Sequence, residues 1–353
     1  MKQYVKSIDT LRIVAILAVV MTHTTTRTLE AAKFNLIGFP LTIFLNQVVR
    51  FAVPLFFMIS GFVLELNYDP NSGYFAFLKK RFSKIFIPYV FWSAIYYLLV
   101  YNHNHDNFLR VILTGNASYQ LFFIPALCIF YLLFPFFHQI YKIISNKLFL
   151  ILLLISQVWL LHHDYFVKPF ELSDPLYTVI MAYFFFIIGI VAARNKEAIN
   201  LFVHKWKYIL LPVAGISGIY VFCEGFSRYV TTGNYLSYYS KWRPSVLIYT
   251  IAVGLILFYF FEKPKLQFSF LEKLIKPNFF QKLSKLSFLV FLIHVIVLEE
   301  VWSLFAKSLF NMLNGNIVGK AVFDPIFFVI VSGISFSIAY ILHKIPGLGR
   351  ITG

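Results

Sequence analysis

Apolar runs about as long as a bilayer is thick recur along the whole chain. A hydrocarbon core about 30 Å thick needs roughly 20 residues of α-helix, and ten runs approach that length. The pattern therefore predicts an all-α, polytopic membrane helical bundle with about ten transmembrane helices. The predicted spans are 8–28, 48–66, 83–101, 119–138, 147–162, 176–193, 206–223, 244–261, 286–306 and 323–343.

Two spans are less regular than the others. An amphipathic stretch, 37–50, leads into the second span, and the fifth span is short. The first run carries Asp9, Arg12 and His23 and no small-residue cleavage site follows it, so we expect it to stay as a span rather than to be removed as a signal peptide. Because no polar stretch is long enough for a separate soluble domain, we expect one transmembrane domain over 1–353.

Composition agrees with a membrane protein, since 59% of residues are apolar and 13% charged, against about 45–50% and about 25% in soluble domains. Thirty-one basic residues against fifteen acidic ones give a net charge of +16. The basic residues lie in short loops, which favours anionic membrane lipids over nucleic acid as partners. Both cysteines lie inside apolar runs, so neither a disulfide framework nor a cysteine metal site is expected.

The distribution of basic residues predicts the orientation. An even number of spans places both termini on one side; that side holds twenty Lys and Arg, and the opposite side ten. The positive-inside rule therefore places both termini on the cytoplasmic side of the membrane. The inner loop Glu262–Lys285, with six Lys, is predicted to be an amphipathic segment facing the leaflet. The ten basic residues of the opposite side are Arg27, Lys33, Arg50, Arg110, Lys168, Arg228, Lys241, Arg243, Lys307 and Lys320.

Ionisable residues inside spans are the best pointers to function, because a charge at membrane depth costs at least ~2.5–3.5 kcal/mol. Arg12 and His23 are eleven residues apart, within about 20° of a whole number of turns and about 16 Å along the helix. They therefore face the same way, with the cation near the cytoplasm and the base deeper. Arg12 could alternatively be a snorkelling anchor, and His23 a structural hydrogen-bonding residue. Thr24 begins a run of three hydroxyl side chains that indicates a polar pocket.

Two further spans carry ionisable residues. Arg81 and Lys84 open the third span one helical turn apart, where they could bind either the leaflet or a polyanion such as a nucleotide diphosphate. His294 lies in the middle of the ninth span. Glu299 and Glu300 follow it about 100° apart, so only one of them can face the interior.

Four strings together resemble one family. The first span reads D-x-L-R with a histidine eleven residues after the arginine. The strings VPLFFMISGFVL, KKRFSKIFIPY and SFLVFLIH follow in the second, third and ninth spans. In this order, over nearly the whole chain, they resemble the acyltransferase-3 family of membrane proteins. The THTTT and VPLFFMISG strings look most like its surface-polysaccharide O-acyltransferase branch.

The resemblance implies a ten-helix enzyme that moves an acyl group, usually acetyl, from cytoplasmic acyl-CoA to a hydroxyl of a glycan at the outer face. The family's first-span Arg and His, both regarded as needed for activity, fall on Arg12 and His23. Its basic pair falls on Arg81 and Lys84, where lysine replaces the usual second arginine. Its late-span histidine falls on His294.

One departure from the family pattern concerns the fourth span. Many members have a Trp and then a Glu there, whereas this chain has Phe122 in place of the Trp and Leu127 and Cys128 where the Glu is expected. A mechanism that requires this carboxylate is therefore not expected here.

Together these residues give a hypothesis for the reaction. Acyl transfer needs a base for the hydroxyl proton and a donor for the developing oxyanion, and an imidazole titrates near neutral pH without a large shift. His23 is expected to be this base or to be acylated itself, while Arg12, Arg81 and Lys84 hold the CoA phosphates. The residues expected to contact the substrate or support the site are Asp9, Thr24, His294 and Glu299.

Other interpretations stay open. The donor could be succinyl-CoA, or the chain could be a glycan transporter or a flippase of a lipid-linked glycan, a class in which Pro- or Gly-broken helices are common. Two predicted outer loops have metal-compatible side chains, but closely spaced loop histidines are usually solvated or could contact the glycan, so no metal is predicted. These loop residues are His103, His105 and Asp106, then His162, His163 and Asp164.

Overall fold

The structure, a computed structural model, describes residues 5–35, 38–100, 107–232, 238–262, 279–313, 315–346, 348 and 351. Within these ranges the chain forms fourteen α-helices and no strand, which confirms the all-α prediction. The helices are α1 (Lys6–Ala31), α2 (Pro40–Val48), α3 (Ala52–Leu66), α4 (Tyr74–Ile95), α5 (Phe108–Thr114), α6 (Phe123–Gln139), α7 (Tyr141–Ile144), α8 (Lys147–His162), α9 (Leu176–Arg194), α10 (Lys196–Thr232), α11 (Pro244–Glu262), α12 (Phe279–Val301), α13 (Lys307–Leu313) and α14 (Ile317–Lys344).

The helices match the predicted spans in number and order. In the part of the chain that the structure describes, nine helical stretches are long and apolar enough to cross a membrane, and α6 is a shorter apolar helix of 17 residues. Most run beyond the predicted bounds, as in Lys196–Thr232 against 206–223, because polar helix ends lie outside the apolar windows. The predicted polytopic bundle is confirmed.

The second span differs from its prediction. The helical stretch begins at Pro40 and is divided into α2 and α3 by a turn at residues 49–51. Pro40 lies at the first helical position, where its missing N–H costs nothing. The polar residues Asn46 and Gln47 of this stretch are buried against other helices rather than lying at an interface. Hydropathy alone therefore placed the start of the span too late.

The chain divides into two compact units, one built mainly from Pro54–His204 and the other from Lys6–Val53 with Lys205–Ile341. In the second unit α1 is central and packs on α12, α11 and α2. Its helix is favoured by the run from Ile13 to Val20, and Ala15, Ile16 and Val20 are fully buried. The expected single domain over 1–353 stays a prediction.

The first unit contains a close helix crossing in which two glycines face each other. A Cβ on Gly61 of α3 would lie 2.1 Å from the carbonyl oxygen of Phe186, and one on Gly189 of α9 would lie 2.0 Å from that of Met58. Small residues allow such backbone approach in membrane helices. Beside the crossing, the rings of Phe130 and Phe186 stack with centroids 4.4 Å apart.

Candidate active site

A pair of histidines lies inside the second unit. Helices α1 and α12 bring the rings of His23 and His294 to 5.3 Å between centroids, with planes tilted by 35°. His294 is completely buried, whereas His23 remains partly accessible. The sequence predicted both residues but not their contact, because their positions are 271 apart along the chain.

The hydrogen bonds of His294 define its tautomer. Its Nδ1 lies 3.1 Å from the carbonyl oxygen of Val290 and 2.9 Å from that of Phe291. Carbonyl oxygens only accept, so Nδ1 carries the proton, and in the neutral ring Nε2 keeps its lone pair. Nε2 is buried and has no hydrogen-bond partner within the described ranges. The pair thus contains a buried, oriented acceptor nitrogen on the histidine next to His23.

Arg12 lies on the same continuous helix as His23, so the spacing of about 16 Å along one stripe holds in α1. Its Nη1 is 3.9 Å from Oδ1 of Asp9, and its side chain is 35% exposed. Oδ1 of Asp9 also accepts a hydrogen bond of 2.7 Å from Ser284 of α12. Asp9 therefore joins α1 to α12 near the arginine.

The other two predicted supporting residues lie near the opposite end of α1. Thr24 is buried and donates to the carbonyl oxygen of Met21 at 3.2 Å, within its own helix. Glu299 pairs with Arg27 at 3.4 Å. Glu300 is exposed. Of the two glutamates, Glu299 is therefore the one tied to another helix.

A polar network that the sequence analysis missed holds the His23 turn. Nδ2 of Asn46 in α2 donates to the carbonyl oxygen of Thr22 at 3.2 Å and to the hydroxyl of Thr26 at 3.1 Å. Oδ1 of Asn46 accepts from Nη2 of Arg50. The sequence analysis counted Arg50 among the outer-face residues, but only 7% of it is exposed. The helical turn of His23 is thus linked through an amide to a buried guanidinium.

A second buried arginine extends the network. Arg243, also counted as an outer-face residue, is completely buried; its Nη2 donates to Oε1 of Gln47 at 2.6 Å and its Nη1 lies 3.5 Å from Glu224. A Cβ at Gly225 would lie 2.8 Å from Nη1 of Arg243, so a larger residue there would displace this guanidinium. Burial raises the pKa of the neighbouring Tyr238, whose hydroxyl stays protonated and donates to a backbone carbonyl of α2 at 3.1 Å.

A buried carboxylate was also missed. Asp324 of α14 is 1% exposed and accepts hydrogen bonds from the hydroxyls of Thr28, at 2.6 Å, and Thr42. The apolar window that marked the tenth span gave no reason to single it out. Asp324 connects α14 with α1 and α2 inside the second unit.

The predicted third-span cations belong to the first unit. Arg81 is partly buried, with its guanidinium carbon 5.7 Å from the ring centroid of Phe77. Lys84 is exposed. Their role in binding a polyanion stays a prediction. In the fourth span Leu127 and Cys128, which replace the family's Glu, are buried apolar neighbours.

The first unit contains an ion cluster at the ends of three helices. Glu65 of α3, with a side chain 3% exposed, lies 3.0 Å from Nδ1 of His138 and accepts from Nε of Arg194. The Arg194 guanidinium also lies 3.8 Å from the ring centroid of Tyr141. No sequence signal marked this cluster, because each residue lies at the end of a separate apolar run, where polar residues are usual at a membrane interface.

The loop histidines form no metal site within the described part of the chain, where no group of three or more metal-binding side chains is found. His103, His105 and Asp106 lie outside the described residues. The predicted loop position of His162, His163 and Asp164 is wrong, because His162 ends α8 and the other two lie in a π-helical turn, His163–Val167, that continues it. Asp164 is buried and accepts from the backbone N–H of Phe170, at 3.0 Å, and the hydroxyl of Tyr177, at 2.7 Å. This carboxylate therefore fixes the segment that follows the turn.

Fold and site together define a multi-pass helical membrane protein with a histidine pair and buried arginines inside its bundle. Residues 5–344 match a family whose members carry an acyltransferase domain, and the chain therefore belongs to the acyltransferase-3 family. The resemblance found in the sequence is confirmed.

Named relatives share about a quarter of their residues with this chain. A probable poly-beta-1,6-N-acetyl-D-glucosamine export protein of Staphylococcus aureus (strain Mu50) is 24% identical over 352 residues, which cover 95% of this chain and 91% of the relative. The protein of the same name from Staphylococcus epidermidis is 25% identical over 340 residues, covering 92% and 88%. No solved structure matches the chain.

Proposed function

We propose that this protein is an O-acyltransferase of the bacterial plasma membrane. It moves an acyl group, which we take to be acetyl, from cytoplasmic acyl-CoA to a hydroxyl of a cell-surface polysaccharide. Both termini lie in the cytoplasm. The family supports acyl transfer, and the names of the relatives support a surface glycan as the acceptor. The observation on which the site assignment depends is the contact of His23 with a buried histidine of fixed tautomer.

In the proposed reaction His23 takes the proton of the acceptor hydroxyl. The hydroxyl oxygen forms a bond to the thioester carbonyl carbon, the carbon–sulfur bond breaks, and CoA leaves as a thiolate that receives the proton. In the alternative order, the acyl group first moves to His23 and then to the glycan. His294 stabilises the ring of His23. The Nε2 atom of His294 is the nitrogen available to accept a hydrogen bond.

Binding of acyl-CoA is assigned to the cations predicted from the sequence. Arg12 lies on the same stripe as His23, about 16 Å away, a distance that a pantetheine arm can cover. Arg81 and Lys84 contribute positive charge for the phosphates. Asp9 keeps Arg12 in place through its contacts with Arg12 and Ser284.

The test is acyl transfer by purified protein in proteoliposomes with radiolabelled acetyl-CoA and poly-N-acetylglucosamine oligomers. Wild type should release free CoA and label the glycan, and His23→Gln should do neither. His343→Gln, at an exposed position of α14, is the matched control and should keep full activity. An active His23→Gln protein would contradict the assignment.

Glycan export is the second candidate. It is favoured by the printed name of the relatives and by the turn that divides the second span, because transporters often use discontinuous helices at their sites. An exporter would move labelled glycan across the proteoliposome membrane without acyl-CoA and would release no free CoA. The same assay therefore separates the two functions.

A further inference from the structure

Arg50 is a buried cation whose charge no acidic side chain neutralises within the described part of the chain. It lies in the turn between α2 and α3 and is 7% exposed. Its Nη1 donates to the carbonyl oxygen of Tyr239 at 2.7 Å, and its Nη2 donates to the amide oxygen of Asn46. Its Nε is buried without a hydrogen-bond partner in the ranges described. All the partners of Arg50 among the described residues are thus neutral.

The neighbouring charges do not compensate for Arg50. Arg243 acts on it electrostatically and is itself paired with Glu224. Lys241 adds another cation on the same segment. Among the described residues, no acidic side chain therefore cancels the charge of Arg50 itself. An unpaired charge in a protein interior is destabilising, so such a site favours the binding of an anion.

The position of Arg50 connects this charge with the proposed chemistry. Asn46, which accepts from Arg50, donates to Thr22 and Thr26 on either side of His23 along α1. Arg50 and Lys241 also act electrostatically on His23. An anion at Arg50 would therefore lie beside the helical turn that carries the proposed base.

We propose that Arg50 binds an oxyanion, a carboxylate or a phosphate, that a substrate brings next to His23. The guanidinium supplies parallel N–H donors that match such groups. The proposal rests on the function proposed above for the link to His23. The oxyanion has two possible sources: a carboxylate at the far end of the acyl chain, or a phosphate on a lipid-linked acceptor glycan.

Anion binding is tested without any acyl transfer. The unfolding temperature of the full-length protein in detergent is measured with sodium phosphate, sodium succinate or sodium chloride at equal ionic strength. Phosphate or succinate should raise it relative to chloride by more for wild type and for Arg110→Gln, an exposed control on α5, than for Arg50→Gln, which keeps only the general salt effect. Equal behaviour of wild type and Arg50→Gln would overturn the proposal even if acyl transfer is confirmed.

If Arg50→Gln does not fold, a variant that keeps the positive charge provides the test. Arg50→Lys keeps the charge and loses the fork, so its apparent affinity for phosphate or succinate should fall about tenfold. An unchanged affinity of Arg50→Lys would also overturn the proposal.

Two acyl donors then identify the source of the oxyanion. If the acyl chain carries it, Arg50→Gln should lower transfer from succinyl-CoA about tenfold to a hundredfold more than transfer from acetyl-CoA. If the acceptor carries it, both donors should lose activity equally, with a raised KM for the glycan. Unchanged rates with both donors would overturn the proposal, whereas absence of transfer by wild type would contradict only the proposed function.

Discussion

The two units of the chain each contain a histidine cluster, and the clusters differ in the partners that hold the rings. In the first unit His138 lies between the carboxylate of Glu65 and the guanidinium of Arg194. In the second unit His23 faces the ring of His294, whose Nδ1 donates to backbone carbonyls and whose Nε2 has no hydrogen-bond partner among the described residues. The first cluster joins helix ends through an ion pair, whereas the second keeps an acceptor nitrogen available beside His23.

The largest effect should separate the two histidine clusters by activity. His23→Gln should lower the acyl-transfer rate by about 10²- to 10⁴-fold, the range supplied by a positioned base. His138→Gln should keep the rate within a few-fold, since its amide can still donate to Glu65. Initial rates with labelled acetyl-CoA give both values. A comparable loss of activity in His138→Gln would remove the distinction between the clusters.

The second prediction concerns stability within the cluster of the first unit. Arg194→Met should lower the free energy of unfolding by about 3 kcal/mol, because it leaves a carboxylate only 3% exposed beside a histidine. Glu65→Gln should cost less, about 1 kcal/mol, because the 37% exposed Arg194 can be solvated. Denaturation in mixed micelles compares the two. A larger cost for Glu65→Gln would show that the arginine needs the pair more than the glutamate does.

The third prediction concerns the role of Nε2 in His294. His294→Phe keeps a ring of similar shape but removes the acceptor nitrogen, so the transfer rate should fall about tenfold while stability changes by less than about 1 kcal/mol. Rates and unfolding temperatures are measured on the same preparations. An unchanged rate with raised stability would make His294 a packing residue only.

The smallest effect is expected at Asp324, whose partners are hydroxyl groups. The hydroxyl of Thr28 lies 2.6 Å from Asp324 and 3.2 Å from the carbonyl oxygen of Thr24, so one proton serves two acceptors. Asp324→Asn adds a donor and should change the free energy of unfolding by less than about 1 kcal/mol. Thermal unfolding in detergent measures this. A loss of several kcal/mol would show that the ionised carboxylate itself is required.

The fold could be predicted because the bilayer imposes a length of about 20 residues on every crossing helix. The same criterion failed in the second span, where Asn46 and Gln47 lower the hydropathy although they are buried. Hydropathy measures how favourably a side chain transfers from water to lipid. It does not indicate which polar side chains are buried against a neighbouring helix. The early start at Pro40 and the turn at residues 49–51 were therefore missed.

The candidate site was only partly visible in the sequence. Arg12 and His23 share one helix, so their geometry follows from their spacing. The contact of His23 with His294 joins segments 271 residues apart, and Asn46 reaches from α2 to Thr22 and Thr26 on α1, which no local pattern encodes. Glu65 and Asp324 escaped notice because a single acidic residue at the edge of an apolar run resembles an interfacial residue.

The divided second span has a consequence for synthesis of the protein. The backbone carbonyls of Ile43 and Val48 accept hydrogen bonds from Tyr238 and Tyr249, which follow about 200 residues later. At about 5–20 residues per second, the ribosome needs about 10–40 s to supply these donors. During this interval the two carbonyls lack their tyrosine donors. The native contacts of α2 with this later part of the second unit can therefore form only after the eighth span has been synthesised.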